Sequence, residues 1–257
     1  MSIYQHFRPE EREFIDQVLE WKRIVTDTYV AKLTDFLDPR LQQIVHLIIG
    51  DSTDVHCHFF GGVDNAERKR ALIYPEYHIV DHNDFQVTIF EVEYPKKFVT
   101  IEHREVLGSL MSLGLKREKF GDILFEGDRI QIIIATEINS YLRLQLASIG
   151  RAKISLKEIP TNEVLKIENK WTEEAATVSS MRLDTIISAL YNVSRQKSQI
   201  LIEQGLVKVN FATSLKTSFE CHEFDMISVR GYGRTKITSI EGKTKKEKWR
   251  IIVGKQK

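Results

Sequence analysis

Between residues 181 and 229 the chain spells Met181-Arg182-Leu183-Asp184, then Val193-Ser194-Arg195-Gln196-Lys197, Gly205-Leu206-Val207-Lys208-Val209-Asn210 and Asp225-Met226-Ile227-Ser228-Val229. Leu183, Ile186, Ile187 and Leu190 fall at i, i+3, i+4 and i+7, one face of a short helix, which leaves Arg182 and Ser188 to the other side. Ser194 suits the cap of a second helix, because its hydroxyl can accept a first-turn amide that lacks a partner within the helix. Ile200 and Leu201 give that helix its inward side, and Gly205 is placed to stop it. Val207-Lys208-Val209 and Ile227-Ser228-Val229 alternate like half-buried strands, the second after an acidic turn at Asp225. Two short helices on a small sheet are expected.

That order resembles the ribosomal-protein-S-four-type RNA-binding domain, the αL motif, at several spaced positions together: Arg182-Leu183-Asp184, Ser194-Arg195, Gly205, Val207, Val209-Asn210, Asp225, Ile227 and Val229. The resemblance implies a module that grips RNA. Two positions depart from it: Asn210-Phe211 stands where family members often have Asn-Gly, and Phe224-Asp225 where they have Gly-Asp, which leaves the shape of both turns open.

Charge supports a polyanionic partner independently. Residues 181–257 hold 15 Lys and Arg against 7 Asp and Glu, a net +8, which leaves 22 against 29, a net −7, for residues 1–180. A cationic module gains affinity for RNA by releasing condensed counterions, while an acidic remainder limits indiscriminate sticking. For Lys243, Lys245, Lys246 and Lys248 a solvated surface run is an equal reading.

Arg182 and Arg195 lead the expected RNA contacts, because a guanidinium offers planar, paired donors to phosphate and Arg195 falls in the first turn beside free amides. Ser194 and Asn210 belong to the same motif, and Lys197, Lys208 and Arg230 extend the surface. Asp184 is expected to orient Arg182, and the competing reading of Arg182 is a plain surface salt bridge with Asp184. A secondary contact is expected at Lys116, Arg117 and Lys119, near the glycine turn at Gly121; the alternative is that these cations complement a helix C-terminus.

The rest of the chain bounds the answer. Of the 257 residues 42% are hydrophobic, ample for packed cores, yet no apolar run approaches ~18 residues and Met1 to Glu11 has no secretory hydrophobic core, so a cytoplasmic protein with no membrane partner is expected. Cys57 and Cys221 are isolated, which argues against a disulfide framework. His56-Cys57-His58 cannot converge on one ion, since on a strand the histidines point one way and the cysteine the other. Gly61-Gly62 lacks the rest of a nucleotide fingerprint and reads as a turn. No metal, cofactor or small-molecule substrate is expected.

Along the chain, apolar spacing over Phe14, Val18, Trp21, Val25, Tyr29, Leu33 and Phe36 predicts a helix from Glu10 to about Leu37, and Asp38-Pro39 starts another over Leu41, Ile44, Val45 and Ile48. A strand over Asp54–Phe60 and the charged run Glu67-Arg68-Lys69-Arg70 complete a small helical α/β domain, 1–73. Residues 74–160 predict strands at Tyr77–Val80 and Phe85–Tyr94 about an Asp81–Asp84 turn, a helix near Glu102–Leu113, strands near Ile123–Phe125 and Arg129–Ala135, a helix over Glu137–Ile149 and an edge strand at Ile154–Ile159. That β-α-β-β-α-β order with an extra hairpin is the ferredoxin-like arrangement of RNA-recognition modules. Residues 161–180 read as a linker, and 181–257 as the αL motif, an α+β chain throughout.

With the middle in view, the stretch from His103-Arg104-Glu105-Val106-Leu107-Gly108 through Gly114-Leu115-Lys116-Arg117-Glu118-Lys119-Phe120-Gly121-Asp122-Ile123 resembles the YlmH family over essentially the whole chain. The resemblance implies binding to ribosomal RNA on the large subunit when it carries an obstructed peptidyl-tRNA, in ribosome-associated quality control, without enzymatic chemistry. Two other readings stand beside it. An RNA-modifying enzyme is disfavoured, because Arg182-Leu183-Asp184 opens the binding module itself where a pseudouridine synthase has its motif in a separate domain, and no glycine-rich cofactor turn of a methyltransferase is present. A scaffold linked to cell division would use the acidic N-terminal part to bind protein.

Overall fold

The structure is a computed structural model and describes residues 4, 7–50, 54–166 and 171–256. The chain divides into two compact units, residues 1–167 and 168–257.

In the first unit α1 (Arg12–Thr28) ends at Tyr29, whose φ of 56° turns the backbone left-handed. The helix expected to reach Leu37 therefore stops early, and Lys32–Leu37 forms strand β1. The spacing of Leu33 and Phe36 suits a helix face, but tertiary pairing with the strand at Lys69–Pro75 wins: the register shifts between the two, and they pack into different clusters. Asp38 caps α2 (Pro39–Ile49) as expected, its carboxylate accepting from the amides of Arg40 and Leu41. Strands β2 (Val55–Phe60) and β3 (Lys69–Pro75) complete an antiparallel sheet in the order β1-β3-β2. The charged run thus opens a strand instead of ending the domain, and Tyr77–Val80 is not a strand; a short 3-10 turn at His82–Phe85 follows it.

The middle of the chain runs β4 (Val87–Glu93), α3 (His103–Ser112), β5 (Phe120–Glu126), β6 (Arg129–Ala135), α4 (Asn139–Gln145), β7 (Ser148–Ile149), β8 (Ala152–Lys153) and β9 (Ser155–Ile159). The sheet order β5-β6-β4-β9, antiparallel at each step, is the ferredoxin-like one, with β9 on an edge as expected. Helix α4 is shorter than its apolar spacing suggests: Leu146 leaves helical backbone (φ −88°, ψ 78°), and Ser148–Ile149 instead pairs in the β7–β8 hairpin, which turns at Gly150 (φ 55°). Phe90, Val92, Phe120 and Ile132 pack under α3 and α4, whose Val106, Leu110 and Leu142 are fully buried. Ile89, Leu124, Ile133 and Ile159 on the other face meet Phe36 of β1 and Leu165. Both faces of this sheet are therefore covered.

Arginines bind the two sheets together. Arg68 and Arg70 are 7% and 4% exposed. Arg68 donates to the carbonyls of Phe120 (3.2 Å) and Phe36 (2.9 Å), while Asp122 accepts the amides of Glu67 (2.6 Å) and Arg68 (3.1 Å). Arg70 donates to the carbonyls of Thr34 (2.7 Å) and Gln86 (3.0 Å) and to Glu137 (3.1 Å).

The second unit is built on β10 (Trp171–Val178), α5 (Leu183–Tyr191), α6 (Arg195–Glu203), β11 (Val207–Val209), β12 (Ala212–Thr213), β13 (Met226–Val229), β14 (Gly233–Lys243) and β15 (Trp249–Gln256). Its sheet runs β10-β15-β14-β13-β11-β12, antiparallel at every step. Trp171–Val178, in the stretch read as a linker, is thus a strand paired along its length with β15, because Ala176 and Val178 bury against the core. Val207, Val209, Ile227, Val229, Ile237, Ile251 and Val253 form one face under Leu183, Ile186, Ile187, Leu190 and Leu201. Ile200, expected inward on α6, is exposed; Leu201 and Ile202 fill that role.

Candidate nucleic-acid interface

Arg182 occupies the cap position of α5 and Asp184 its first turn, where the amides of Leu183 and Asp184 donate to the carbonyls of Phe219 and Thr217. Ser194 caps α6, its Oγ accepting the amide of Lys197 at 3.1 Å, which sets Arg195 at the first helical position. The two helix starts converge on one carboxylate. Arg182 donates from Nε (3.1 Å) and Nη2 (3.0 Å) to Asp184, Arg195 from Nε (3.1 Å) and Gln199 from Nε2 (3.1 Å). Asp184 is wholly buried, whereas the side chains of Arg182 and Arg195 are 39% and 55% exposed.

Burial alone would push the Asp184 carboxyl up, but the hydrogen bonds from Arg182, Gln199 and Arg195 outweigh it and hold the group well below the usual carboxylate range. The site therefore carries a fixed negative charge beneath two outward-facing cations. Both terminal nitrogens of Arg195 are without a hydrogen bond among the described residues, and they sit where the α6 dipole and first-turn amides also favour an anion. Paired guanidiniums held at a fixed separation suit phosphate oxygens.

Asp184 orients Arg182 as the spacing predicts, and it holds Arg195 and Gln199 at the same time, which the spacing does not predict. Gln199 follows Arg195 by one helical turn, so the two share a face of α6, but nothing in the spacing points them at Asp184.

The remaining expected contacts fall in four places. Lys197 is exposed on the first turn of α6, two residues on from Arg195 and so on a different side of the helix. Arg230 is exposed after β13, and Lys208 is exposed on β11 between the core residues Val207 and Val209, so it projects from the face of the sheet away from the helices. Asn210 is structural: its Nδ2 donates to Asp225 (2.8 Å) and its Oδ1 accepts the Met226 amide (2.9 Å), tying two turns together. Those turns are the two that depart from the family pattern. Phe211 and Phe224 both take left-handed backbone, φ 68° each, so the glycine-like shape is kept with phenylalanine in it.

At the secondary site Lys116 is exposed, but Arg117 donates to the carbonyls of Phe120 (2.6 Å) and Gly121 (3.3 Å). Burial and the neighbouring Arg68 cation push Arg117 down to about 10. Lys119 bridges Asp35 (2.6 Å) and Glu137 (3.1 Å). Arg117 and Lys119 are therefore committed to holding the first unit together, which takes them out of the outward-facing set. His56 lies against Tyr74 and His58 against Phe85, and burial pushes the Cys57 thiol up to about 11. Among the described residues no cluster of three or more His, Cys, Asp or Glu side chains could hold a metal ion.

Comparison with known proteins gives this geometry a family. Residues 10–78 match the domain described as "YlmH, N-terminal", residues 81–163 the "Putative RNA-binding domain in YlmH" and residues 181–227 the "S4 domain". The "Ribosome-associated protein quality control protein P2" of Bacillus subtilis (strain 168) is 48% identical over 258 residues, spanning all of this chain and 99% of that protein. A solved structure, "Cell division protein ylmH from Streptococcus pneumoniae", is similar with 34% identity and a TM-score of 0.55 over 64% of this chain and all of that one. With its N-terminal and RNA-binding domains followed by an S4 domain, this α+β chain belongs to the YlmH family.

Proposed function

We propose that this protein is a non-enzymatic factor of the cytoplasm that docks on the large ribosomal subunit through ribosomal RNA and peptidyl-tRNA, in ribosome-associated quality control. The observation that carries the reading is the pair of half-exposed guanidiniums fixed on the buried Asp184 carboxylate at the mouth of α6. Such a device recognises phosphate position more than base identity, which suits folded RNA. The name of the Bacillus subtilis relative supports the ribosomal setting. No helix of the described residues is long and apolar enough to cross a membrane.

Pelleting with purified large subunits at rising salt tests the docking. A handful of phosphate contacts predicts that affinity falls roughly 10³-fold between low and moderate salt. Salt-insensitive pelleting would point to a protein-mediated attachment and contradict the reading. Mass spectrometry of ribosomal RNA from cells lacking the protein is expected to find every modification in place; a missing one would make it an enzyme.

A further inference from the structure

The carboxy-terminal sheet has a second face that neither α5 nor α6 covers. Alternation from the core residues places Lys208, Met226, Ser228, Arg234, Lys236, Gln256 and Trp171 on it. Strand register aligns them in two neighbouring rows. Lys208, Ser228, Arg234, Gln256 and Trp171 follow one another across β11, β13, β14, β15 and β10, and Met226, Lys236, Gly254 and Glu173 lie in the row beside. Trp171 lies over Gly254, where an added Cβ would meet its ring at 3.3 Å.

Phe224 stands at the end of this surface. It is 50% exposed, its ring centroid lies 5.8 Å from Lys236 Nζ, and it keeps a left-handed backbone that glycine adopts without strain. An exposed aromatic held in a disfavoured conformation beside cations calls for a role other than packing. Of the acids on this face, Glu173 on β10 shares the row of Lys236 with Gly254 between them, and Glu241 pairs with Arg250 at 2.9 Å. The end holding Lys208, Arg234, Lys236 and Phe224 is positive and aromatic together.

We propose that this face binds an unpaired stretch of RNA, with a base stacked on Phe224 and the backbone phosphates on Lys208, Arg234 and Lys236. Interleaved cations and aromatics on an open sheet give the stacking platform and electrostatic track that single strands require, and stacking tolerates any base. A duplex keeps its bases stacked internally and has no use for Phe224. The inference rests on the RNA-binding reading above only for the class of partner. It adds a surface on the opposite side of the sheet from the Arg182–Arg195 pair.

The test uses the full chain with two probes, a fluorescent oligouridylate and a short RNA hairpin. Phe224→Gly removes the ring and relieves the backbone, so the variant is expected to fold at least as well as the parent. It should bind oligouridylate about tenfold more weakly. Phe224→Trp should restore that binding, and the hairpin affinity should stay that of the parent in both variants. Unchanged oligouridylate binding by Phe224→Gly would overturn the proposal, as would poly-glutamate competing as well as oligouridylate, which would mark a general anion surface. Arg195→Ala separates the two ideas: weakened hairpin binding with oligouridylate binding intact supports both, and failure of oligouridylate to bind the parent sinks this surface alone.

Discussion

Arginines do opposite work in the two units. In the first, Arg68 and Arg70 are buried and spend their donors on the carbonyls of Phe36, Phe120, Thr34 and Gln86, residues far away in sequence. In the second, Arg182 and Arg195 rest on one buried carboxylate while their side chains stay partly exposed. The first arrangement satisfies orphan backbone groups where β1 meets the middle sheet. The second seats two cations on one carboxylate, which leaves a net positive charge facing outward, the state that binds an anion. A basic residue count cannot tell the two apart; what matters is whether the donors end on carbonyls or face water.

The sharpest way to break this contrast is to remove one arginine of the buried kind. Arg70→Ala leaves the Thr34 and Gln86 carbonyls and the Glu137 carboxylate without their donor, and is expected to destabilise the first unit by about 3–5 kcal/mol. Hydrogen exchange should show the weakening in β1 and β3, with protection of α5 and α6 unchanged. A cost under about 1 kcal/mol would place Arg70 among ordinary surface charges.

Asp184→Ala comes next, at about 2–3 kcal/mol at neutral pH, with RNA binding weakened as both arginines lose their seat. Its pH dependence has a definite sign. Because the folded carboxyl is held below its ordinary value, its stabilisation is complete above the unfolded value of about 3.9 and is lost as pH falls from there toward the depressed folded value. The difference in unfolding free energy between parent and variant should be flat from about pH 5 to about pH 8 and close in stronger acid. A difference that shrinks already between about pH 7 and about pH 5 would mean that Asp184 is not so held.

Phe211→Gly sharpens the comparison at its small end. Glycine relieves the left-handed backbone but is more flexible when unfolded, for a net gain of about 0.5–1 kcal/mol by urea denaturation. A decrease in stability would show that the half-buried ring contributes more by packing than its backbone costs.

Much of this architecture was legible from residues alone. Asp38-Pro39 and Ser194 announced their helices because a cap is a local device, and Arg182-Leu183-Asp184 announced half of the site for the same reason. What stayed hidden depends on distant partners. β3 opens in a charged run because Arg68 and Arg70 find acceptors across the fold. β10 looks like a linker because its pattern is rich in Glu and Thr and its partner strand lies at the far end of the chain. The second half of the site, Arg195 and Gln199 on Asp184, appears only when α5 and α6 pack together.

The most direct test of the paired arginines measures affinity for the large ribosomal subunit across a salt series, for the parent and for Arg195→Ala. The variant should fold normally, bind more weakly by ~1–3 kcal/mol, and show a log–log salt slope shallower by about 1, as follows when a single phosphate is no longer neutralised. An unchanged affinity and slope would contradict the account, because Arg195 would then be a surface ion pair and nothing more.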